Sequence, residues 1–215
     1  MVNEDEMNEE EHRFQKLARY SRMPQDTFNE MRLERFVPLA GKKQAHEAAL
    51  KYVGQKDGQP LREHHFLTFA GEVGRGKTHL LFGIGWHFVV NNMGVVLYWR
   101  VSKLLDAMRD WLRAQDHLQR FERLPINPLE AAEKATLLLI DDLGTERPTE
   151  WAVEKLEDLV DDRWLNKKLT VFTTNAPADE LSPRVRSRIK EGVTVIVKGI
   201  DYREFKAQSR KGGDM

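Results

Sequence analysis

The sequence predicts an α/β fold: one doubly wound, parallel, five-stranded sheet with helices on both faces. Five short apolar runs have the length and composition of buried strands, and they lie at 66–70, 95–99, 136–140, 169–174 and 193–197. Segments with the apolar spacing of helices lie between these runs, and such alternation is typical of a doubly wound fold. At 215 residues the chain is long enough for one domain of this kind.

Each element follows from a local pattern. The run 136–140 is apolar on both faces, as expected at the centre of a parallel sheet. Helices are expected at 45–52, 78–91, 103–121 and 150–165. The predicted division of the chain is a short helical acidic segment at 1–40, a core at 41–207 and a flexible tail at 208–215.

Bulk composition limits the function classes. Lys plus Arg and Asp plus Glu are equal at 34 each, so no global field attracts nucleic acid and any such site has to be local. The absence of cysteine excludes disulfides and thiolate zinc sites and fits a reducing compartment. No apolar run approaches transmembrane length, and the acidic N-terminus is unlike a signal peptide. We therefore expect a soluble, cytoplasmic protein without a membrane partner.

Charge is nevertheless uneven along the chain. Residues 1–11 carry six acids and no Lys or Arg, which is typical of a solvated chain end or, alternatively, of a partner-binding segment. Between Ser182 and Met215 there are nine Lys or Arg against four Asp or Glu. The basic end is the more informative, because its arginines lie inside an otherwise ordered pattern.

The most specific motif is G-x-x-x-x-G-K-T at 71–78, between the first predicted strand and a predicted helix. Its glycines let successive backbone amides turn inward around phosphate oxygens, and the positive end of the helix points to the same place. Lys77 is expected to reach the β- and γ-phosphates of ATP, and the Thr78 hydroxyl to help hold Mg²⁺. The predicted nucleotide-binding residues are Gly71, Glu72, Val73, Gly74, Arg75, Gly76, Lys77, Thr78 and His79.

Two acids follow the third predicted strand directly. In open parallel sheets ligands gather at the carboxyl ends of strands, so Asp141 and Asp142 are expected beside the phosphate-binding loop. Asp141 would hold Mg²⁺ directly or through a water, and Asp142 would polarise the attacking water. The alternative makes the pair an ordinary loop start with helix-capping acids.

Asn175 follows the fourth predicted strand, within Thr173-Thr174-Asn175-Ala176-Pro177. An amide at this strand end can position the attacking water or report on the γ-phosphate. Asn before Ala-Pro is also a common turn residue, which is the other interpretation.

Three arginines at alternate positions, Arg184, Arg186 and Arg188, cannot share one helical face. One of them projecting into the γ-phosphate of a neighbouring subunit would act as an arginine finger. A solvated basic helix is the alternative.

Taken together, these motifs resemble those of AAA+ ATPases, and most specifically the DnaC/DnaI-type replicative helicase loaders and the related IstB transposition helpers. The resemblance covers about residues 19–207. Besides the loop and the acidic pair, it rests on Thr149-Glu150-Trp151, on Thr-Thr-Asn-Ala-Pro, on the arginines 184–188 and on 201–207, Asp-Tyr-Arg-Glu-Phe-Lys-Ala.

The resemblance implies roles for single residues. Lys77 and Thr78 match the Walker A pair, and Asp141 and Asp142 the Walker B pair. The remaining matches are Asn175 as sensor 1, Arg188 as the finger with Arg184 as the nearer alternative, and Arg203 as a further phosphate-contacting arginine. The clade usually lacks the C-terminal helical lid of other AAA+ proteins, and we expect none here.

The function that the resemblance implies is that of an ATP-hydrolysing helicase loader. Its ATP-bound subunits would assemble into an oligomer, grip single-stranded DNA and help place a ring-shaped replicative helicase on it. One alternative is an IstB-like transposition helper. Another is a nucleotide-gated adaptor with little turnover, because Asp142 is one methylene shorter than the Glu that many relatives of this motif use.

Two further expectations concern partners. Helicase contact would use the short acidic N-terminal segment, or would be absent, or would belong to an N-terminal domain lost from this chain. DNA is expected along 100–125, where Arg100, Lys103, Arg109 and Arg113 could contact phosphates. Because Asp106, Asp110 and Asp116 are interleaved, a salt-bridged surface helix is the alternative.

Overall fold

The computed structural model describes residues 14–54, 64–117, 126–144 and 149–201. A helix at 14–20, α1, precedes two short 3₁₀ helices at Gln25–Thr27 and Leu33–Arg35. The other helices are α2 (Lys43–Val53), α3 (Lys77–Val90), α4 (Val101–His117), α5 (Pro128–Lys134), α6 (Glu150–Leu165) and α7 (Pro183–Glu191). The strands are β1 (Phe66–Ala70), β2 (Val96–Arg100), β3 (Leu137–Leu143), β4 (Leu169–Thr174) and β5 (Val193–Ile196).

The five strands form one sheet in the order β2-β3-β4-β1-β5, and every pair in it is parallel. Alternate residues of β3 point to opposite sides and join two separate buried clusters: Leu137 and Leu139 pack with α2 and α3, whereas Leu138 and Ile140 pack with α4 to α7. The predicted doubly wound fold with helices on both faces is confirmed. In the described residues no lid domain follows β5.

Local capping sets where three of the helices begin. The side chains of Asn127, Thr149 and Ser182 accept hydrogen bonds from backbone amides in the first turns of α5, α6 and α7. Proline at the first position of α5 and of α7 fits the same rule, because its missing amide would have no helical partner there. Pro128 therefore starts α5, a helix that the apolar pattern did not predict.

Arg163 explains how the short α5 is held. Its guanidinium is fully buried and donates to the carbonyl oxygens of Ala132, Ala135 and Leu169 at 2.6, 3.1 and 2.6 Å. Burial lowers the pKa of Arg163 to about 10. The side chain thus ties α6 to the end of α5 and the start of β4, and the loss of its hydration is offset by carbonyl acceptors.

The strand register brings four chain segments to one edge of the sheet. Ala70 at the end of β1 pairs with Thr174 at the end of β4, and Arg100 at the end of β2 pairs with Asp141 of β3. All these strands run in the same direction, so their carboxyl ends meet here. This edge is where the sequence predicted the functional residues.

Candidate functional site

The loop between β1 and α3 is held in a conformation that its glycines make possible. Gly76 caps α3 with a φ of 94°, in the left-handed region that other residues rarely adopt. A Cβ on Gly71 would lie 2.6 Å from the carbonyl oxygen of Val197, so this position also needs the missing side chain. The amides of the loop and of the first turn of α3 therefore form a concave, positive surface of the kind that binds phosphate.

Lys77 lies at this surface and is almost fully buried. Its ammonium donates to the carbonyl oxygens of Gly71 and Glu72 at 2.7 and 2.6 Å. Burial lowers the pKa of Lys77, opposed by the nearby charges of Asp142 and Asp141. A phosphate oxygen would give this ammonium a charge-assisted partner, which is stronger than a neutral carbonyl.

Asp141 is 1% exposed and is surrounded by hydroxyl groups. Its Oδ1 accepts from the hydroxyls of Thr78 at 3.1 Å and Thr173 at 2.5 Å, and its Oδ2 accepts from Tyr98 at 3.3 Å. Burial raises the pKa of Asp141, while the hydroxyl donors oppose that shift. Burial and the Asp141 charge together raise the pKa of Tyr98 to about 12. The carboxylate is therefore oriented by hydroxyl groups and forms no ion pair with the described residues, although the charges of Arg100 and Lys77 act on it from farther away.

Asp142 lies at an irregularity in β3 that changes the direction of its side chain. The register with β4 shifts between Ile140 and Leu143, and Asp142 has a φ of 60°, in the left-handed region. Its amide donates to the Thr173 hydroxyl at 3.0 Å, and its Oδ2 lies 3.5 Å from Nε of Arg100. The bulge thus presents the two adjacent acids in different directions at the same edge.

Asn175 lies beside Asp142. Its Nδ2 donates to Asp142 Oδ1 at 3.4 Å. Its Oδ1 is buried and accepts no hydrogen bond from the described residues. A buried acceptor without a partner is uncommon and suits a site where a water or a ligand group supplies the donor.

The rest of the loop contacts the segment after β5. Arg75 donates to the carbonyl oxygen of Gly199 and forms an ion pair with Glu72. The Asp201 carboxylate lies so close to Gly74 that a Cβ there would overlap it.

The remaining predicted nucleotide-binding residues lie around the loop. His79 packs edge-on against the Phe36 ring, with the ring centres 5.1 Å apart. Val73 is 60% exposed at the tip, and Arg203 lies outside the described residues.

The predicted arginine finger candidates lie elsewhere in the subunit. Arg184 and Arg188, both on α7, pair with the same carboxylate, Asp161 of α6. Arg188 also pairs with Glu191 at 3.2 Å and lies over the Trp164 ring. Within one chain these arginines are therefore not part of the cluster around Asp141.

The basic residues of α4 are largely paired with its own acids. Lys103 and Arg109 both lie within 4 Å of Asp106, and Arg113 pairs with Asp110 at 3.5 Å. These contacts are those of the salt-bridged surface helix, and such exposed pairs contribute little stability. Residues 118–125 of the predicted DNA-contacting segment lie outside the described residues.

Sequence reasoning missed three members of the cluster. Tyr98 and Thr173 orient Asp141, and Arg100 pairs with Asp142, although the sequence suggested Arg100 only as a DNA contact. A polar residue at the carboxyl end of a strand was the available signal. It could not be used for Tyr98 and Arg100 without knowing that β2 lies next to β3.

The donor set at this edge fits a magnesium nucleotide. Among the described residues no group of three or more His, Cys, Asp or Glu is arranged to hold a metal ion. Mg²⁺ usually takes only one or two protein oxygens and fills its other positions with phosphate oxygens and waters. Thr78 and Asp141, joined at 3.1 Å, supply such a pair next to the loop. Fold and site together define a P-loop protein that binds a nucleoside triphosphate.

Comparison with known families places the chain more narrowly. Residues 28–196 match the family described as the bacterial DnaA ATPase domain. The chain belongs to this family, because the match covers well over half of it.

Two curated relatives illustrate the range of the family's neighbours. The uncharacterised protein YqaM of Bacillus subtilis is 29% identical over 146 residues, which are 65% of this chain and 43% of YqaM. The replicative helicase loader DnaC of Escherichia coli is 26% identical over 155 residues, 72% of this chain and 59% of DnaC. The chain thus spans about half the length of these relatives.

Solved structures agree with the fold. Domain III of Thermotoga maritima DnaA superposes with a TM-score of 0.68 at 25% identity over 85% of this chain and 72% of that one. A DnaA bound to AMPPCP and single-stranded DNA gives 0.67 at 23% identity, covering 86% and 55%. The DnaC helicase loader gives 0.63 at 21% identity, covering 80% and 98%. The predicted relationship to AAA+ ATPases of the DnaC/DnaI type is confirmed.

In the part of the chain that the structure describes, none of the helices is both long enough and apolar enough to cross a bilayer.

Proposed function

We propose that this chain is an ATPase that acts in the cytoplasm as a helicase loader in DNA replication. The observation that carries the proposal is the Thr78–Asp141 contact at 3.1 Å beside the Lys77 ammonium. These three groups are the ones that hold a magnesium nucleotide in P-loop proteins. The relationship to the DnaC loader supports replication as the setting, and the DnaA with AMPPCP and single-stranded DNA supports both ligands.

Each residue has a place in the proposed reaction. Lys77 and the loop amides bind the phosphates, and Thr78 and Asp141 would hold Mg²⁺, which offsets the negative charge of the triphosphate when bound. Asp142, whose backbone amide donates to the Thr173 hydroxyl, accepts a proton from the attacking water. Asn175, hydrogen-bonded to Asp142 at 3.4 Å, positions that water.

The finger that completes the site is proposed to come from α7 of a neighbouring subunit in an ATP-dependent oligomer. Arg188 is the family match, but it has three intrachain contacts, with Asp161, Glu191 and the Trp164 ring. The side chain of Arg184 is 57% exposed, and its ion pair among the described residues is with Asp161. Of these two arginines, the contacts therefore favour Arg184 as the residue that can reach a neighbour.

A second candidate is the nucleotide-gated adaptor with little turnover. It is favoured by one observation, the 3.5 Å contact between Arg100 and Asp142, because Arg100 then occupies the carboxylate oxygen that would otherwise face the attacking water. The transposition helper shares the same site, so its separation from the loader depends on partners and not on this geometry.

The test measures three quantities on one preparation: ATP affinity, phosphate release and loading of a replicative helicase onto single-stranded DNA. The wild-type chain is expected to show all three, and Lys77→Ala is expected to lose all three because ATP no longer binds. Tight ATP binding with phosphate release at background would instead support the adaptor. Unchanged ATP affinity in Lys77→Ala would refute the assignment of the loop.

A further inference from the structure

An apolar groove lies beside β2, the outermost strand of the sheet on that side, and away from the phosphate-binding loop. It has a volume of about 790 Å³ and runs between α1, the outer edge of β2 and the start of α5. Its apolar lining residues include Leu17, Tyr20, Val95, Leu97, Ile126 and Ala131. Tyr20, Val95 and Ile126 are 60%, 50% and 78% exposed, so large apolar side chains face solvent together at one place.

The strand beside the groove is an edge strand. β2 pairs with β3 on one side only, and on its outer side Tyr98 donates its amide to the carbonyl oxygen of Ser21 at 2.7 Å. The chain after α1 thus covers the outer side of β2 at Tyr98. The groove lies beside Val95, Val96 and Leu97 and extends to Trp99 and Arg22.

Within the part of the chain that the structure describes, the charged residues that line the groove are all basic: Lys16, Arg19, Arg22 and Lys134. This asymmetry is local, because the chain as a whole carries 34 cations and 34 acids. Lys134 pairs with Glu130, and the Arg22 guanidinium lies 3.6 Å from the centre of the Trp99 ring. Lys16 and Arg19 are exposed and have no ion pair with the described residues.

We propose that this groove docks an acidic amphipathic helix of a partner protein. The apolar residues of the helix would cover Tyr20, Val95 and Ile126, and its acids would pair with Lys16 and Arg19. An apolar groove with a charged rim is the usual receptor for such a helix. The mainly aliphatic lining argues against single-stranded nucleic acid, whose bases prefer aromatic platforms.

The docking surface is separate from the nucleotide chemistry. None of the groove residues contacts Lys77, Thr78 or Asp141 among the described residues. Peptide binding is therefore expected without ATP, and its failure would leave the proposed ATPase function untouched.

The experiment uses the full chain and a fluorescent synthetic helix of about 16 residues, with Leu and Trp on one face and Glu elsewhere. Fluorescence anisotropy is expected to show saturable binding. Ile126→Asp, which changes an exposed side chain, and the double variant Lys16→Glu with Arg19→Glu are each expected to weaken binding at least tenfold. The matched controls Leu165→Asp and Lys190→Glu alter an exposed apolar residue and a cation outside the groove and are expected to bind like wild type.

Three results would overturn the proposal. The first is absence of binding to the acidic helix, or equal binding of a version with Lys in place of Glu. The second is an oligothymidine probe whose affinity, and not that of the helix, falls in Ile126→Asp. The third is a change in the sedimentation of the free protein in Ile126→Asp, which would assign the groove to a second copy of this chain.

Discussion

Two buried carboxylates in this molecule have opposite surroundings. Asp141 at the end of β3 is 1% exposed and receives its hydrogen bonds from the hydroxyls of Thr78, Thr173 and Tyr98. Asp161 on α6 is 7% exposed and receives two arginines, Arg184 and Arg188. Both acids are held in place, but of the two only Asp161 forms ion pairs with the described residues, whereas Arg100 and Lys77 act on Asp141 from farther away.

The difference separates the acid that we propose holds Mg²⁺ from an acid that joins two helices. Hydroxyl groups orient a carboxylate and leave its negative charge available, and burial raises the pKa of Asp141 because that charge is poorly solvated. An incoming cation would relieve this unfavourable state. The two arginines at Asp161 already do so, which makes that cluster a clamp between α6 and α7. The three variants below test the contrast, starting with the largest expected effect.

The largest effect is expected for Asp141→Asn. The amide keeps the shape but removes the charge, so phosphate release should fall on the order of 10³-fold. Thermal stability should not fall, because an unfavourable buried charge is removed. A phosphate-release assay measures the rate, and a thermal melt measures the stability. Wild-type turnover would show that Asp141 is not at the reacting centre.

A smaller loss of activity is expected for Arg184→Ala. If it reaches a neighbouring subunit, its removal should slow hydrolysis about 100-fold while ATP affinity is kept. Mixing it with Asp142→Ala subunits should restore part of the activity, since each variant supplies what the other lacks. Arg188→Ala is the matched control and should mainly lower the melting temperature, because it removes contacts to Asp161, Glu191 and Trp164.

If Arg188→Ala gives the kinetic defect and Arg184→Ala does not, the family match names the finger correctly and the exposure argument is wrong. If neither mixture regains activity, a finger acting between subunits is doubtful.

The smallest effect on ATP affinity is expected for Asp161→Asn. It leaves two arginines without their shared carboxylate, and loss of one partner of a fully buried pair costs about 3–5 kcal/mol. Because the arginine side chains are 57% and 29% exposed, roughly 1–3 kcal/mol is expected instead. A urea melt should register this loss while ATP affinity stays at the wild-type value. A variant that melts like wild type would show that Asp161 does not stabilise the fold.

The fold was largely predictable from the chain. The bounds of β1, β4 and α6 agree with the predicted 66–70, 169–174 and 150–165, because these segments have strong apolar patterns bounded by clear start and stop residues. The helix α5 was missed. Seven residues carry too little periodicity, and its support from Arg163 comes from a distant part of the chain.

Residues of the candidate site were predictable where they belong to one contiguous motif, and they were missed where their role depends on a neighbouring strand. The phosphate-binding loop and the acidic pair are contiguous motifs that follow strands. The orienting role of Tyr98 and the partner of Asp142, Arg100, depend on β2 lying next to β3 in register. The pairing of Arg184 and Arg188 with Asp161 joins positions more than 20 residues apart, so no spacing in the sequence indicates it.

The sequence by itself determined that this chain binds a triphosphate, since the glycines, the lysine and the helix start that form the cradle are consecutive and act through backbone geometry. Only the tertiary structure decided which acidic side chains form ion pairs within the chain and which do not. That outcome depends on burial and on neighbours supplied by other strands and helices, because electrostatic interactions are set by distance in space and not by separation along the chain.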